Sequence, residues 1–223
     1  MNRKTLAIAS LLVVATMAGV AAVVANMTPP DLSLPTHWGI SGEPDRFSGK
    51  WTALLMPPAM VAGVSLLFYF LPSLEPRREG LARSQSLYLW GWLSLLLMGG
   101  VIQLAVVSLA LRWGLHANSL IVGGLGVMLA MIGNQLGKSR SMYLIGFRTP
   151  WTLASEEVWI KTHRLAGKLM VGGGLLMLIA AALPIPSGLL ASVLFAVMGI
   201  AVTVPLIYSF LLWRRERRAQ PSE

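Results

Sequence analysis

The stretch Gly133–Lys168 reads GNQLGKSRSMYLIGFRTPWTLASEEVWIKTHRLAGK. It is the only long polar interruption in the second half of the chain, and it gathers Arg148, Pro150, Trp151, Glu156, Glu157, His163 and Arg164. Everything around it reads as lipid-soluble helix. Apolar runs near 20 residues recur on both sides, the length that crosses a roughly 30 Å hydrocarbon core at about 1.5 Å per residue. The runs are continuously apolar and do not alternate, which excludes a β-barrel. The expected fold is therefore all-α: a polytopic membrane protein of six spans, with this stretch as the loop between spans four and five. Composition agrees. The chain is 55% hydrophobic and 12% charged, about half the charge of an ordinary soluble domain. With no cysteine, disulfide and thiol chemistry are excluded.

Arg3 and Lys4 precede a first run from about Thr5 to Ala25. It is longer than the roughly 7–15 apolar residues of a signal peptide and reads as a retained span. Residues 27–50 form a proline-punctuated loop, where Pro29, Pro30, Pro35 and Pro44 predict extended or turn backbone. Gly42-Glu43-Pro44-Asp45 is a turn signal. A second span runs from about Trp51 to Leu71, with Pro57 and Pro58 in its first two turns. Residues 72–86 read as a basic turn carrying Arg77, Arg78 and Arg83. Spans follow at about Leu87–Leu111, Ser119–Leu136, Leu165–Leu183 and Leu189–Trp213, the last ending in Arg214, Arg215, Arg217 and Arg218. Trp90, Trp92 and Trp113 serve as interfacial anchors. The expected organisation is two regions, 1–74 with the loop at 27–50, and 75–223 with the signature loop at 137–165.

Six spans put both termini on one side. Fifteen of the 18 lysines and arginines fall on that side; Arg46, Lys50 and Arg112 fall on the other. Positive residues mark the cytoplasmic face. The termini and Gly133–Lys168 are therefore expected in the cytoplasm of a bacterial inner membrane, with Pro35–Trp51 outside. The formal charge of +9 points to phospholipid and not to nucleic acid, because the positive residues flank spans.

Within the loop, Ser155 is a good N-cap, with Glu156 and Glu157 in the first turn, where the helix dipole favours acids. One helix is predicted from Ser155 into span five. Glu157 and Lys161 stand four apart and can pair; Trp159 and His163 also stand four apart, on one face. Lys161, Arg164 and Lys168 can snorkel toward phosphates. Thr149-Pro150-Trp151 is predicted extended or turned, within an irregular segment from Arg148 to Leu153. Arg148 should face water, a phosphate or a carboxylate, with Glu156 and Glu157 nearest in sequence. His163 with either acid could act as base and orienter. Three readings stand open: catalysis, a structural interfacial loop, and a docking surface. No H-E-x-x-H, Gly-x-Ser-x-Gly or phosphate-cradling motif is present, which weighs against catalysis.

The run Ile145-Gly146-Phe147-Arg148-Thr149-Pro150-Trp151-Thr152-Leu153, then Trp159, Thr162-His163-Arg164 and Gly167, resembles the signature of the SdpI family of bacterial membrane proteins. Gly133-Asn134 fits upstream. The external Leu34-Pro35-Thr36-His37-Trp38, Gly42-Glu43-Pro44-Asp45 and Lys50-Trp51 resemble the segment that often precedes it. Ser141-Met142-Tyr143 departs from the pattern, since relatives often carry Pro-Asn before the aromatic, and Phe147 replaces an aliphatic residue. The resemblance implies immunity to an SdpC-type toxic peptide. It further implies signalling, in which the toxin-bound protein draws an ArsR-like repressor to the membrane. It implies a docking set of Asn134, Gly146, Arg148, Thr149, Pro150, Trp151, Glu156, Trp159, His163 and Arg164. It also implies an external motif of Pro35, His37, Trp38, Gly42, Glu43, Pro44 and Asp45. No catalytic residue, metal or cofactor is expected, and no direct nucleic-acid contact.

Outside these motifs, His37, Glu43 and Asp45 lack metal-ligand spacing. Gln103 is the one strong polar side chain inside span three and is expected to bond a neighbouring helix. No ionisable group sits at a span centre, which argues against proton-coupled transport. A transporter, or a lipid- or ligand-binding protein with a cavity between spans three to five, is the alternative. Gly123, Gly124, Gly126, Gly133, Gly137 and Gly172–Gly174 predict close approach of spans four and five, which would bring both ends of the loop together. The twelve methionines read as packing filler.

Overall fold

The computed structural model describes residues 3–219; residues 1–2 and 220–223, at the ends of the two expected regions, lie outside the described residues. In chain order the elements are α1 (Arg3–Met27), β1 (Ser33–Trp38), β2 (Pro44–Gly49), α2 (Lys50–Leu74), α3 (Arg78–Arg83), α4 (Gln85–Leu111), α5 (Ala117–Leu136), α6 (Pro150–Ala154), α7 (Glu156–Ala182) and α8 (Ser187–Ala219). Six of them, α1, α2, α4, α5, α7 and α8, are long and apolar enough to cross a membrane. The six-span all-α fold is borne out, and α7 begins at the Ser155 cap, whose Oγ accepts from Val158 N at 3.2 Å.

Three local expectations are corrected. The basic turn at 72–86 contains the last turn of α2 and the short helix α3. Pro72 is accommodated inside α2 because the carbonyl its missing N–H would have served, that of Phe68, accepts from Tyr88 Oη at 2.8 Å. The irregular segment 148–153 is instead an extended Thr149 followed by α6, since proline's fixed φ suits a first helical position. Residues 33–49 do more than extend: β1 and β2 pair antiparallel, from Ser33 opposite Gly49 to Trp38 opposite Pro44.

Helices α1, α2 and α4 pack around Ala21, Val24, Ala53, Leu54, Val106 and Val107. From α4 the chain proceeds through successive neighbours, α4 on α5, α5 on α7 and α7 on α8. The α5–α7 pair is the most extensive, and glycine explains it. A Cβ on Gly126 would lie 2.6 Å from the Gly174 carbonyl oxygen, and one on Gly174 would lie 2.4 Å from that of Gly126. A second reciprocal pair, Gly133 and Gly167, stands one heptad along each helix at 2.8 and 2.6 Å. The two backbones touch where lipid offers no hydrophobic drive, and dispersion between close backbones supplies the attraction. Gly124 serves α4 through Val101 and Met98, Gly173 serves α8 through Val197, and Gly172 has open space. Gly167, read in the sequence only as part of the signature, is thus half of the seam.

Gln103 departs from expectation. It is 5% exposed, and neither amide atom has a hydrogen-bond partner. It lies one turn from Gly99, which abuts Val61 and Met17, and one turn from Val107. Its face of α4 therefore looks toward α1 and α2.

The hairpin is tied to the bundle at both ends. Lys50 is buried, and its Nζ donates to the Ala25 carbonyl at 2.6 Å and the Thr28 carbonyl at 2.7 Å, closing the C-terminal end of α1 with a positive charge. At the tip, Asn118 Nδ2 donates to the Gly42 carbonyl at 2.6 Å. Gly42 has φ +79°, and a Cβ there would lie 2.7 Å from the Ser187 carbonyl oxygen.

The seam makes a differential prediction. Gly174→Val must push two backbones apart, a cost of about 1–3 kcal/mol or more for overpacking, and should lower the Tm of the detergent-solubilised protein by several degrees. Gly172→Ala, two residues away, should leave Tm unchanged. Equal Tm values for the two variants would contradict the contact.

Candidate functional site: the signature loop and its anchors

The loop between α5 and α7 has little regular structure, so its backbone groups need partners from elsewhere. The principal anchor is Glu75, the C-terminal cap residue of α2, which is 2% exposed. Its Oε1 accepts from Arg77 N at 2.9 Å and Tyr143 N at 3.0 Å, and its Oε2 accepts from Leu144 N at 2.9 Å. A buried carboxylate is costly unless its oxygens are satisfied; here three backbone amides satisfy it with charge-assisted bonds. Arg77 closes the same corner. Its guanidinium donates to Ser141 Oγ and to the Leu153 carbonyl at 3.2 Å, and lies 4.7 Å from the centre of the Tyr143 ring. Ser84 Oγ accepts from Arg140 N at 2.8 Å. Gly80 lets Ser141 approach so closely that a Cβ would overlap its carbonyl oxygen. Ser141 and Met142, at the departure from the family pattern, are both buried and therefore part of this corner.

The second anchor is His163 on α7. It is fully buried, and its ring stacks on Trp159 at 3.9 Å between centroids. Phe147 N can only donate, and it stands 2.9 Å from Nε2. Nε2 is therefore the acceptor, and Nδ1 carries the proton and donates to the Trp159 carbonyl at 2.8 Å. Gly146 makes this possible. Its φ is +116°, and a Cβ would fall 2.5 Å from Nε2. Trp159 is itself buried and donates from Nε1 to Ser139 Oγ at 3.2 Å.

A third set ties the loop to α8. Thr149 caps α6 in a capping box: its Oγ1 accepts from Thr152 N at 3.2 Å, and Thr152 Oγ1 accepts from Thr149 N at 2.9 Å. Pro150 takes the first helical position. Trp151 then reaches α8, donating from Nε1 to Ser209 Oγ at 2.6 Å and packing against Phe210 and Trp213. Ser155 Oγ donates to Glu216 Oε1 at 3.1 Å.

These placements answer two expectations. Arg148 is exposed to water, one of the surroundings expected for it, and among the described residues it pairs with no carboxylate; its Nη1 donates to the Tyr143 carbonyl at 2.7 Å, which its own loop brings within reach. His163 meets neither Glu156 nor Glu157. Glu156 lies by Arg140 Nε at 3.8 Å and Ser141 N at 3.4 Å, and Glu157 pairs with Lys161 as expected. With both ring nitrogens engaged and no solvent exposure, His163 holds a shape and presents no base to a substrate. The structure joins Gly146, Trp159 and His163 in one cluster and Thr149, Pro150 and Trp151 in the link to α8. Arg148, Asn134 and Arg164 are exposed. Glu75 and Arg77 were missed. An acid directly after an apolar span needs a partner, but nothing local in the sequence says which one.

On the opposite end of the bundle the external motif is equally definite. Pro35 pairs with Phe47 in the ladder, and Pro44 opens β2. His37 Nδ1 lies 2.5 Å from Asp45 Oδ1, and the Glu43 carbonyl accepts from Gly39 N at 2.9 Å. Trp38 and Gly42 border a cleft of about 250 Å³ that α5 and α8 complete with Ile121, Leu194 and Phe195. Among the described residues no group of three or more His, Asp or Glu gathers as a metal site.

Comparison with known proteins follows this division. Residues 11–61, from within α1 through the hairpin to the first half of α2, match a domain of unknown function, DUF1648. The chain is 26% identical over 144 residues to the immunity protein SdpI of Bacillus subtilis (strain 168), covering 65% of this chain and 67% of that protein. No solved structure matches. Residues 138–209, from the start of the anchored loop to Ser209 beneath Trp151, match the SdpI/YfhL protein family. The likeness carried by the signature residues is thus borne out over residues 138–209, in a chain with six helices long and apolar enough to cross a membrane.

Proposed function

We propose that this chain acts by binding, as an SdpI-type immunity protein of the bacterial cytoplasmic membrane. The similarity to a protein named for immunity carries the reading. The charge distribution supports an orientation with both termini and the signature loop in the cytoplasm and the hairpin outside. In that orientation the cleft under Trp38 faces the side from which an SdpC-type toxic peptide arrives. The signature loop faces the side on which an ArsR-like repressor would dock. Residues 1–74 then form the toxin-facing region and 75–223 the transducing region.

Roles divide by exposure. Arg148, Asn134 and Arg164 present side chains to a cytoplasmic partner, and Glu156 stands at the same rim. Gly146, Thr149, Pro150, Trp151, Trp159 and His163 hold the loop in shape. Outside, Trp38 is the aromatic anchor of the cleft, while Pro35, His37, Gly42, Glu43, Pro44 and Asp45 fix the hairpin that presents it. No step of this reading requires bond-making chemistry, a cofactor or nucleic acid. The unpaired Gln103 amide favours a transporter or small-ligand binder as second reading; the glycine seam, which closes spans four and five on each other, counts against it.

Bacteria sensitive to an SdpC-type peptide test the proposal. Expression of the chain should raise the peptide concentration survived. Trp38→Ala, removing a central aromatic anchor, should weaken protection about tenfold or more. Arg148→Glu should leave protection intact while abolishing membrane recruitment of a cognate repressor. Unprotected cells at full membrane expression would sink the immunity reading.

A further inference from the structure

On the signature-loop end of the bundle a groove of about 420 Å³ opens between the start of α1, the end of α2, α3 and the start of α4. The function proposed above makes no use of it. Its rim carries Arg3, Arg78 and the Gln85 amide; its floor is Pro72, Leu81 and Leu89. Among the described residues no carboxylate lines it. Glu75, the nearest buried acid in sequence, is turned to the loop amides, and Glu79 of α3 is exposed and not among the lining residues. Arg3 is held in place: its Nη1 donates to the Tyr69 carbonyl at 3.4 Å, and its guanidinium lies 4.8 Å from the centre of the Tyr69 ring. Arg78 is exposed at the rim.

Position decides the ligand class. The groove lies where three spans begin or end, which is headgroup depth. A soluble anion would find two guanidiniums there but no use for the apolar floor; a zwitterionic lipid would bring its own cation to two arginines. A ligand with a net-negative phosphate headgroup and an acyl chain satisfies both halves. We propose that this groove is a binding site for one anionic phospholipid, with Arg3 and Arg78 on the phosphate, Gln85 on the headgroup and the first acyl carbons on Leu81 and Leu89. The lipid would bridge α1 to α3, and α3 adjoins the Glu75–Arg77 corner.

The full chain in mixed phosphatidylglycerol and phosphatidylcholine nanodiscs, released for native mass spectrometry, tests this. Wild type should retain one phosphatidylglycerol in preference to phosphatidylcholine, and excess inorganic phosphate should not displace it. Retention should fall about fivefold for Arg3→Gln or Arg78→Gln and about thirtyfold for both, while Arg148→Gln on the same end changes nothing. If the double variant fails to fold, Gln85→Glu, at an exposed position, should reduce retention by setting a like charge against the phosphate. No lipid preference in wild type, displacement by inorganic phosphate, or preference persisting in the double variant or in Gln85→Glu would each overturn the site.

Discussion

A single buried carboxylate sets the geometry of the signature end. Glu75 stands where α2 leaves the apolar layer, almost without solvent, and its charge is tolerable only because Arg77, Tyr143 and Leu144 give it their backbone N–H groups. The requirement runs both ways. The loop amides at 143 and 144 lie outside regular structure and need acceptors. Each side removes the other's desolvation penalty, so a region that looks irregular is fixed to a span distant in sequence. From that point Gly146 can bring Phe147 N to His163, and α6 can carry Trp151 to Ser209.

The glycine seam gives the loop its base. Gly126 with Gly174 and Gly133 with Gly167 hold α5 and α7 at backbone contact. The loop's two ends therefore leave the bundle side by side, and Gly137 lies against the Arg164 backbone. The loop is closed by a tight helix pair and pinned laterally to α2, α3 and α8. That is the mechanical link the binding model needs: the hairpin is tied to α1 through Lys50 and to α5 and the α7–α8 turn through Asn118 and Gly42, so both ends of the bundle share the same rods.

The spans were legible because lipid leaves the chain little choice: apolar runs of sufficient length become helices. The Ser155 cap, the Glu157–Lys161 pair and the glycine approach were legible because each depends on local spacing or residue size. The hairpin was half legible, since prolines and a turn signal announce extended backbone but not the register that pairs it. The helix at Pro150 was misread because the extended backbone that proline imposes on Thr149 was carried on through Leu153, where Pro150 instead opens a helix. The anchors of the loop were illegible for a different reason. Glu75 and Tyr143 are far apart in sequence, and no local rule pairs them. Arg148 was expected at water, a phosphate or a carboxylate; it is exposed, and folding added the Tyr143 carbonyl as its hydrogen-bond acceptor.

The signature is one folded cap held from α2, and the amides of Tyr143 and Leu144 report on it directly. Hydrogen exchange of the full chain in detergent should show both strongly protected in wild type. In Glu75→Ala that protection should be lost across 141–149, while the α5–α7 seam stays protected. Protection at 143 and 144 that persists unchanged in Glu75→Ala would contradict the account.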